Sequence, residues 1–241
     1  MPVKWYDGAV TRILDEGPVT KRFWVSVTDP EPFEFKAGQF VTMDLPVSEK
    51  RLHRWRSYSI ANAPGEGNEL EFCIVHLNGG LASGYFFNEV KVGTVIRFKG
   101  PDGAFTLPGQ IDKKLVFVCT GTGIAPFRSM IHDIRSRNLP TKGIHLIFGA
   151  RAEDGILYRE EFEKLQKEWP DFRYDIALSR QPDWKGYKGY VHQVYQEHYP
   201  EPRPDVVFYL CGWSNMIDDA VANIIVKMGF DKSQVRYELY G

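Results

Sequence analysis

The stretch Leu115-Val-Phe-Val-Cys119-Thr120-Gly121-Thr122-Gly123-Ile124-Ala125-Pro126 decides how this sequence is read. Its first five residues are apolar, with β-branched and aromatic side chains, as in a strand buried on both faces. Two alternating glycines follow, and then a proline at a position where the first turn of a helix tolerates a missing N–H. A strand, a glycine turn and a helix bring open peptide N–H groups and a positive dipole end to one place, where a phosphate is stabilised. The pattern is GxGxxP rather than GxGxxG, so a tight strand-to-helix turn without a ligand is an equal reading of these residues alone.

On the C-terminal side the rhythm continues. Residues 115–119, 144–148, 174–179, 206–211 and 235–239 read as strands, and 126–137, 159–169 and 215–228 as amphipathic helices. Such alternation predicts a doubly wound parallel sheet whose ligands sit beyond the carboxyl ends of the strands. On the N-terminal side, short β-rich runs at 23–28, 39–45, 57–60, 70–75 and 95–98 predict an antiparallel barrel or sandwich, with one helix over 82–89. The change of rhythm after Pro108-Gly109 divides the chain into an antiparallel β-barrel domain, 1–109, and an α/β doubly wound parallel-sheet domain, 110–241.

Composition narrows the function. With 30 basic and 31 acidic residues the net charge is -1, which favours neither nucleic acid nor an anionic membrane. No apolar run approaches the ~20 residues of a spanning helix, and Met1-Pro-Val-Lys-Trp-Tyr-Asp has no secretory apolar core. Cys73, Cys119 and Cys211 form no CxxC pair, and the six histidines form no HExxH, so no metal site is expected. A reducing cytoplasm is the expected location, and a monomer the expected state.

Two further stretches carry chemistry. Arg56-Ser57-Tyr58-Ser59 alternates a phosphate-binding cation, an aromatic ring and hydroxyls, so a strand there puts Arg56 and Tyr58 on one face and the serines on the other. A basic loop running into an ordinary strand is the alternative. Asn78-Gly79-Gly80-Leu81-Ala82-Ser83 is a second phosphate cradle or a plain helix start.

Taken in order, these pieces resemble the ferredoxin–NADP reductase family of flavoproteins over essentially the whole chain. The matching elements are Ala37-Gly38-Gln39-Phe40, Arg56-Ser57-Tyr58-Ser59, Gly79-Gly80 with Ser83, Gly100-Pro101-Asp102-Gly103-Ala104-Phe105-Thr106-Leu107, Gly121 to Pro126, Ser179-Arg180, Cys211-Gly212 and Tyr237-Glu238-Leu239-Tyr240-Gly241. The resemblance implies a flavin-binding barrel followed by a nicotinamide-nucleotide domain. It implies that FAD is held by Arg56 on the pyrophosphate, by Ser57, by Tyr58 stacked on the isoalloxazine and by Ser59 near N5. Cys73, Ile74 and Val75 would offer backbone contacts, and Gly79, Gly80 and Ser83 would complete the phosphate site. Thr120, Gly121, Thr122 and Gly123 would hold the nucleotide pyrophosphate, and Tyr240 would occupy the place where nicotinamide enters. Ser59, Cys211, Glu238 and Tyr240 are the expected catalytic residues.

Arg151, Ser179 and Arg180 stand at predicted strand ends, where arginine accommodates the 2′-phosphate of NADP and an acid would favour NAD. Glu153 and Asp154 follow closely, so NADP is favoured and NAD stays open. The implied activity is hydride exchange between NADP(H) and FAD, with single electrons passed to or from a separate ferredoxin or flavodoxin. Lys50, Arg51, His53 and Arg54 read either as a docking patch for an acidic carrier or as a solvated charge run. The rival readings are an NADH-dependent reductase component of an oxygenase, a free-flavin reductase, and a flavin- or nucleotide-binding regulatory subunit without turnover.

Overall fold

The computed structural model describes residues 4–65 and 67–240. The start of the chain, on which the absence of a secretory segment was read, and Gly241 of the C-terminal motif lie outside the described residues. Two compact units are present. One holds the residues up to Leu107 together with Ala125–Arg137, and the other holds Pro108–Ile124 and Asn138–Gly241. Among the described residues no helix is long and apolar enough to cross a membrane.

The first unit is built on six antiparallel strands: β1 (Trp5–Gly17), β2 (Thr20–Val27), β3 (Phe40–Asp44), β4 (Trp55–Ser59), β5 (Glu69–Val75) and β6 (Val95–Asp102), in the order β4-β3-β6-β1-β2-β5. A four-residue helix, α1 (Arg51–Arg54), precedes β4, and α2 (Leu81–Asn88) precedes β6. The strand missing from the sequence reading is β1. Its register shifts between Val10 and Arg12 and again between Asp15 and Gly17, so its apolar residues do not alternate cleanly, and the same bulges increase its twist. Val10, Phe23, Val41, Phe72, Phe86 and Phe98 lie within its core.

The two edge strands meet. Just beyond β4, Ala61 N–H donates to Glu71 O of β5 at 2.8 Å. Asn62 then imitates a strand partner for β5, donating from Nδ2 to Glu69 O (2.9 Å) and accepting the Glu71 N–H on Oδ1 (2.8 Å). The sheet is thereby closed into a barrel, which removes an exposed edge. The Ala37-Gly38 turn is fixed by contact as well: Gly38 has φ +95°, and a Cβ there would lie 2.1 Å from Phe105 O.

At the closure sits Glu71, only 3% exposed, held by Arg22 Nε at 2.6 Å and an Arg128 nitrogen at 2.9 Å. Arg128 also donates to Ala61 O (2.9 Å), and Ser129 Oγ donates to Asn62 O (2.7 Å). Both residues belong to α3 (Ile124–Ser136), so the helix and the barrel seam share one polar network.

The second unit carries a six-stranded parallel sheet, β7 (Lys114–Thr120), β8 (Ile144–Ala150), β9 (Phe172–Leu178), β10 (Tyr187–Lys188), β11 (Val206–Trp213) and β12 (Val235–Tyr240), ordered β10-β9-β8-β7-β11-β12. Helices α4 (Arg159–Glu168), α5 (Val191–His198) and α6 (Ser214–Val221) pack on it, and α6 runs on into a π-helical turn over Ala222–Lys227. The sequence reading omitted α5, whose buried Val191, Val194 and Tyr195 occupy too few turns to show a period. Strand order reverses between β7 and β11, which makes the carboxyl ends of those two strands the topological switch point.

Glu71→Ala would leave two arginines facing a buried gap. Removal of one partner from a buried ion pair costs about 3–5 kcal/mol, so denaturant unfolding followed by tryptophan fluorescence is expected to show a loss of that order. A loss below 1 kcal/mol would mean that the network is not a determinant of the closure.

Candidate functional site

The barrel presents its candidate residues on β4 and around the start of α2. Ser59 is buried and Ser57 exposed, with Ser57 Oγ 3.1 Å from Thr42 Oγ1 on the paired strand. Tyr58 is half-buried with its ring edge-on to Phe86 of α2, centroids 5.4 Å apart. Burial pushes its hydroxyl far above the ordinary tyrosine range, against the pull of the Arg56 charge, so the ring stays neutral. Arg56 donates to Leu52 O at 2.6 Å and Trp55 O at 2.7 Å, which folds it over α1.

Gly79, Gly80 and Ser83 come together in one turn. Ser83 Oγ accepts Leu77 N–H at 3.0 Å and faces Leu77 O and Gly80 O at 3.2 Å, so this hydroxyl shapes the turn from inside. Gly79 has φ +75° and open space where a Cβ would stand, and Gly80 precedes α2 as its N-cap without a side-chain cap. Such a start leaves its first N–H groups to an anion. Cys73 and Ile74 are buried on β5, paired with Arg22 and Lys21, so any contact they make to a ligand must come from the backbone.

In the other unit, Thr120 ends β7, and Gly121–Gly123 form a single 3-10 turn before α3. Gly123 is buried, and a Cβ on it would lie 2.4 Å from Cys211 O, a backbone atom that cannot yield. Only glycine lets the turn cross the end of β11 this closely. At the same place Gly212 has φ +136°, and a Cβ there would meet Thr120 Oγ1 at 2.6 Å. The cradle between β7 and α3 is therefore built against Cys211-Gly212, at the switch point.

Register pairs Cys211 with Glu238 and Trp213 with Tyr240 across β11 and β12. Cys211 is fully buried. Burial raises its thiol well above the ordinary range, Glu238 and Cys119 push the same way, and a hydrogen bond to Tyr240 opposes them. The sulfur is a neutral thiol at physiological pH. The structure thus assembles Gly121, Thr122, Gly123, Cys211, Glu238 and Tyr240 at adjacent strand ends of one sheet.

Arg151 and Arg180 leave neighbouring strands together: Arg180 N–H donates to Arg151 O at 2.7 Å and Ser179 N–H to Ala150 O at 3.0 Å. Both guanidinium-bearing residues are exposed. The nearby Glu153 is ion-paired to Arg159, which also binds Glu163 at 2.8 Å. Tyr187 is turned elsewhere, its hydroxyl 2.9 Å from His198 Nε2.

In the basic run, Arg54 is committed to Asp44 by two 2.8 Å hydrogen bonds, while Arg51 lies over the Trp55 ring at 4.6 Å. The sequence reading missed three neighbours of this surface. Lys99 lies over Trp55 at 4.5 Å, Arg97 over Trp5 at 5.0 Å, and the two tryptophan rings meet edge-on at 5.4 Å. The alternation of Arg97 and Lys99 with Ile96 and Phe98 was the available signal, because period two puts both cations on the outer face.

Residues 5–107 match the oxidoreductase FAD-binding domain family and residues 117–222 the oxidoreductase NAD-binding domain family. The chain is 32% identical to the reductase component of phenol 2-monooxygenase from Pseudomonas sp. strain CF600, over 96% of this chain and 64% of that protein. It is 31% identical to ferredoxin–NADP reductase B of Sorangium cellulosum, over 98% of this chain and 97% of that one. Among solved structures, the Amycolatopsis cytochrome P450 reductase GcoB superposes with a TM-score of 0.88 at 26% identity, covering 99% of this chain and 70% of that one. A ferredoxin NADP+ reductase from Neisseria gonorrhoeae with bound FAD and NADP gives 0.83 at 23% identity, covering 98% of each chain, which supports the fold. The chain spans about two thirds or less of the phenol hydroxylase relatives it matches, 64% for each of the two, but nearly the whole of the Sorangium enzyme. With the two domain families in this order and that match along the full length, the chain belongs to the ferredoxin–NADP reductase family of FAD- and NAD(P)-binding oxidoreductases.

Proposed function

We propose that this protein exchanges hydride between NADP(H) and bound FAD and passes single electrons to or from a separate carrier such as ferredoxin or flavodoxin, with 1–109 as its flavin part and 110–241 as its nucleotide part. The observation that carries the reading is the glycine cradle at the switch point, packed on Cys211-Gly212 with Glu238 and Tyr240 on the next strand. The flavin supplies the change from two-electron to one-electron chemistry when bound. Residues of this chain suit its parts: Tyr58 offers an uncharged ring face, Ser59 a hydroxyl, Arg56 with Ser57 a cation and a hydroxyl for phosphate, and Gly79 with the start of α2 open N–H groups. Ser83 supports that turn, and the buried Cys73 and Ile74 with the half-buried Val75 contribute backbone.

For the nucleotide, Thr120 to Gly123 receive the pyrophosphate at the start of α3. Cys211, as a neutral buried thiol, shapes and desolvates the nicotinamide position without adding charge, and Glu238 and Tyr240 orient the ring beside it. Arg151 and Arg180, exposed at adjacent strand ends with Ser179 between sheet and loop, favour the 2′-phosphate of NADP. Of the two nearby acids that would favour NAD, Glu153 is engaged by Arg159 and Asp154 stands beside it. Lys50, Arg51 and His53, extended by Arg97 and Lys99, suit docking of an acidic carrier, an effect felt mainly in encounter rate. The wider reading is a cytoplasmic monomer, and the three free cysteines suit a reducing compartment.

A second reading makes the chain the NADH-dependent reductase component of an oxygenase. It is favoured by the similarity to the phenol 2-monooxygenase reductase component.

Arg180→Ala is expected to raise the KM for NADPH at least tenfold, a loss of about 1.4 kcal/mol, with little change for NADH. Equal effects on both nucleotides in steady-state assays would contradict the 2′-phosphate assignment and favour the oxygenase reading. Cys211→Ala is expected to slow single-turnover flavin reduction at least tenfold while the flavin stays bound. Because burial holds the thiol neutral, the wild-type rate is expected to show no thiol ionisation between pH 6 and 8.5. A rate unchanged by the substitution would remove Cys211 from the reaction.

A further inference from the structure

His145, Asp175 and His198 are far apart in the sequence and meet on one face of the parallel sheet. His145 is the second residue of β8, Asp175 lies in the middle of β9, and His198 ends α5. Register pairs His145 with Arg173 and Ile147 with Asp175, so both side chains project from the same side. His145 Nε2 lies 2.8 Å and His198 Nε2 3.4 Å from the same Asp175 Oδ2. All three atoms fall within 4.8 Å of one another.

Two imidazoles and a carboxylate are the donor set of many zinc sites. With bonds of about 2.0–2.2 Å, a tetrahedral ion keeps neighbouring ligand atoms roughly 3.3 Å apart. The two distances to Asp175 Oδ2 bracket that value, and the two imidazole nitrogens lie within 4.8 Å of each other. His145 is held on both ring nitrogens: Nε2 donates to Asp175 Oδ2 at 2.8 Å, and Nδ1 lies 2.8 Å from Tyr199 OH, an oxygen able to accept from Nδ1 once a cation displaces the Nε2 proton. An outer partner of this kind sets the tautomer of metal-binding histidines. The site is also reachable, since His145 is 1% exposed but Asp175 and His198 are 17% and 20% exposed at its rim.

Electrostatics fits in part. Burial lowers both imidazoles below the ordinary range, so the uncharged, ligating forms prevail at neutral pH. Although burial pushes the Asp175 carboxyl up, hydrogen bonds from His145 and Arg173 outweigh it and hold the group at about 2. Against a cation stands Arg173, whose Nε donates to Asp175 Oδ2 at 2.6 Å. It is 48% exposed and free to swing towards solvent, and its charge limits the affinity. The 2.9 Å contact between His198 Nε2 and Tyr187 OH, whose own proton goes to Glu197 Oε1 at 3.0 Å, must also be given up.

We propose that His145 Nε2, Asp175 Oδ2 and His198 Nε2 form a zinc(II) site of moderate affinity, with water as the fourth ligand, that ties β8, β9 and α5 together. The site is independent of the flavin and nucleotide chemistry. Holoprotein stripped with a chelator, dialysed against zinc chloride and counted by atomic emission is expected to hold one zinc per chain with a micromolar Kd. His198→Ala and Asp175→Asn are each expected to weaken that binding at least tenfold, while His53→Ala leaves it unchanged. Zinc-edge absorption is expected to show imidazole and oxygen ligands without sulfur. The flavin absorbance of each variant reports whether it is folded, and no inference depends on a variant of the core residue His145. Failure of the wild type to hold zinc, zinc retained equally by His198→Ala and Asp175→Asn, or a sulfur ligand set would overturn the proposal.

Discussion

The carbonyl of Cys211 occupies the space that a side chain at position 123 would need. That one exclusion organises the nucleotide unit. Glycine at 123 lets the turn after β7 lie flat on the end of β11, which places the first peptide groups of α3 beside Cys211 and the pairing strand β12. The reversal of strand order between β7 and β11 opens a crevice there, and the close approach determines what lines it. A bulkier residue would push the turn off β11 and separate the first peptide groups of α3 from Cys211, Glu238 and Tyr240.

The barrel solves a different problem, that of two edge strands. Asn62 supplies hydrogen bonds that a neighbouring strand would otherwise make to β5, and Glu71, beneath it, is neutralised by Arg22 and Arg128. A buried charge network is a weak source of net stability compared with an apolar core, but a strong penalty for any arrangement that leaves one member unpaired. Closure is therefore specified more than it is strengthened. Phe86, against Tyr58 on one side and Phe23 on the other, carries that order to the ring expected to meet the flavin.

Much of this was legible in the sequence, and for identifiable reasons. Strands of the parallel sheet are buried on both faces, so 115–119 and 206–211 are continuous apolar runs with no competing pattern. The glycine turn announces itself because few other reasons place two glycines between such a strand and a helix. β1 was not legible, because its bulges break the alternation and Gly8 interrupts it. The four-residue α1 is too short to carry a period. Side-chain convergence was hidden: nothing in the spacing of His145, Asp175 and His198 indicates that tertiary pairing brings them together, and the alternation around Arg97 and Lys99 gives their outward face without their tryptophan partners. For Arg151 and Arg180 the residue types were visible, whereas the engagement of Glu153 by Arg159 was not.

The central claim is that this chain moves hydride between a nicotinamide nucleotide and its own flavin, with NADP preferred. It is tested most directly by mixing oxidised holoprotein anaerobically with NADPH, and separately with NADH, in a stopped-flow spectrometer and following the flavin absorbance. The account predicts rapid bleaching by NADPH and bleaching at least tenfold slower by NADH. Faster bleaching by NADH would contradict the nucleotide assignment, and no bleaching by either nucleotide with the flavin bound would contradict the account as a whole.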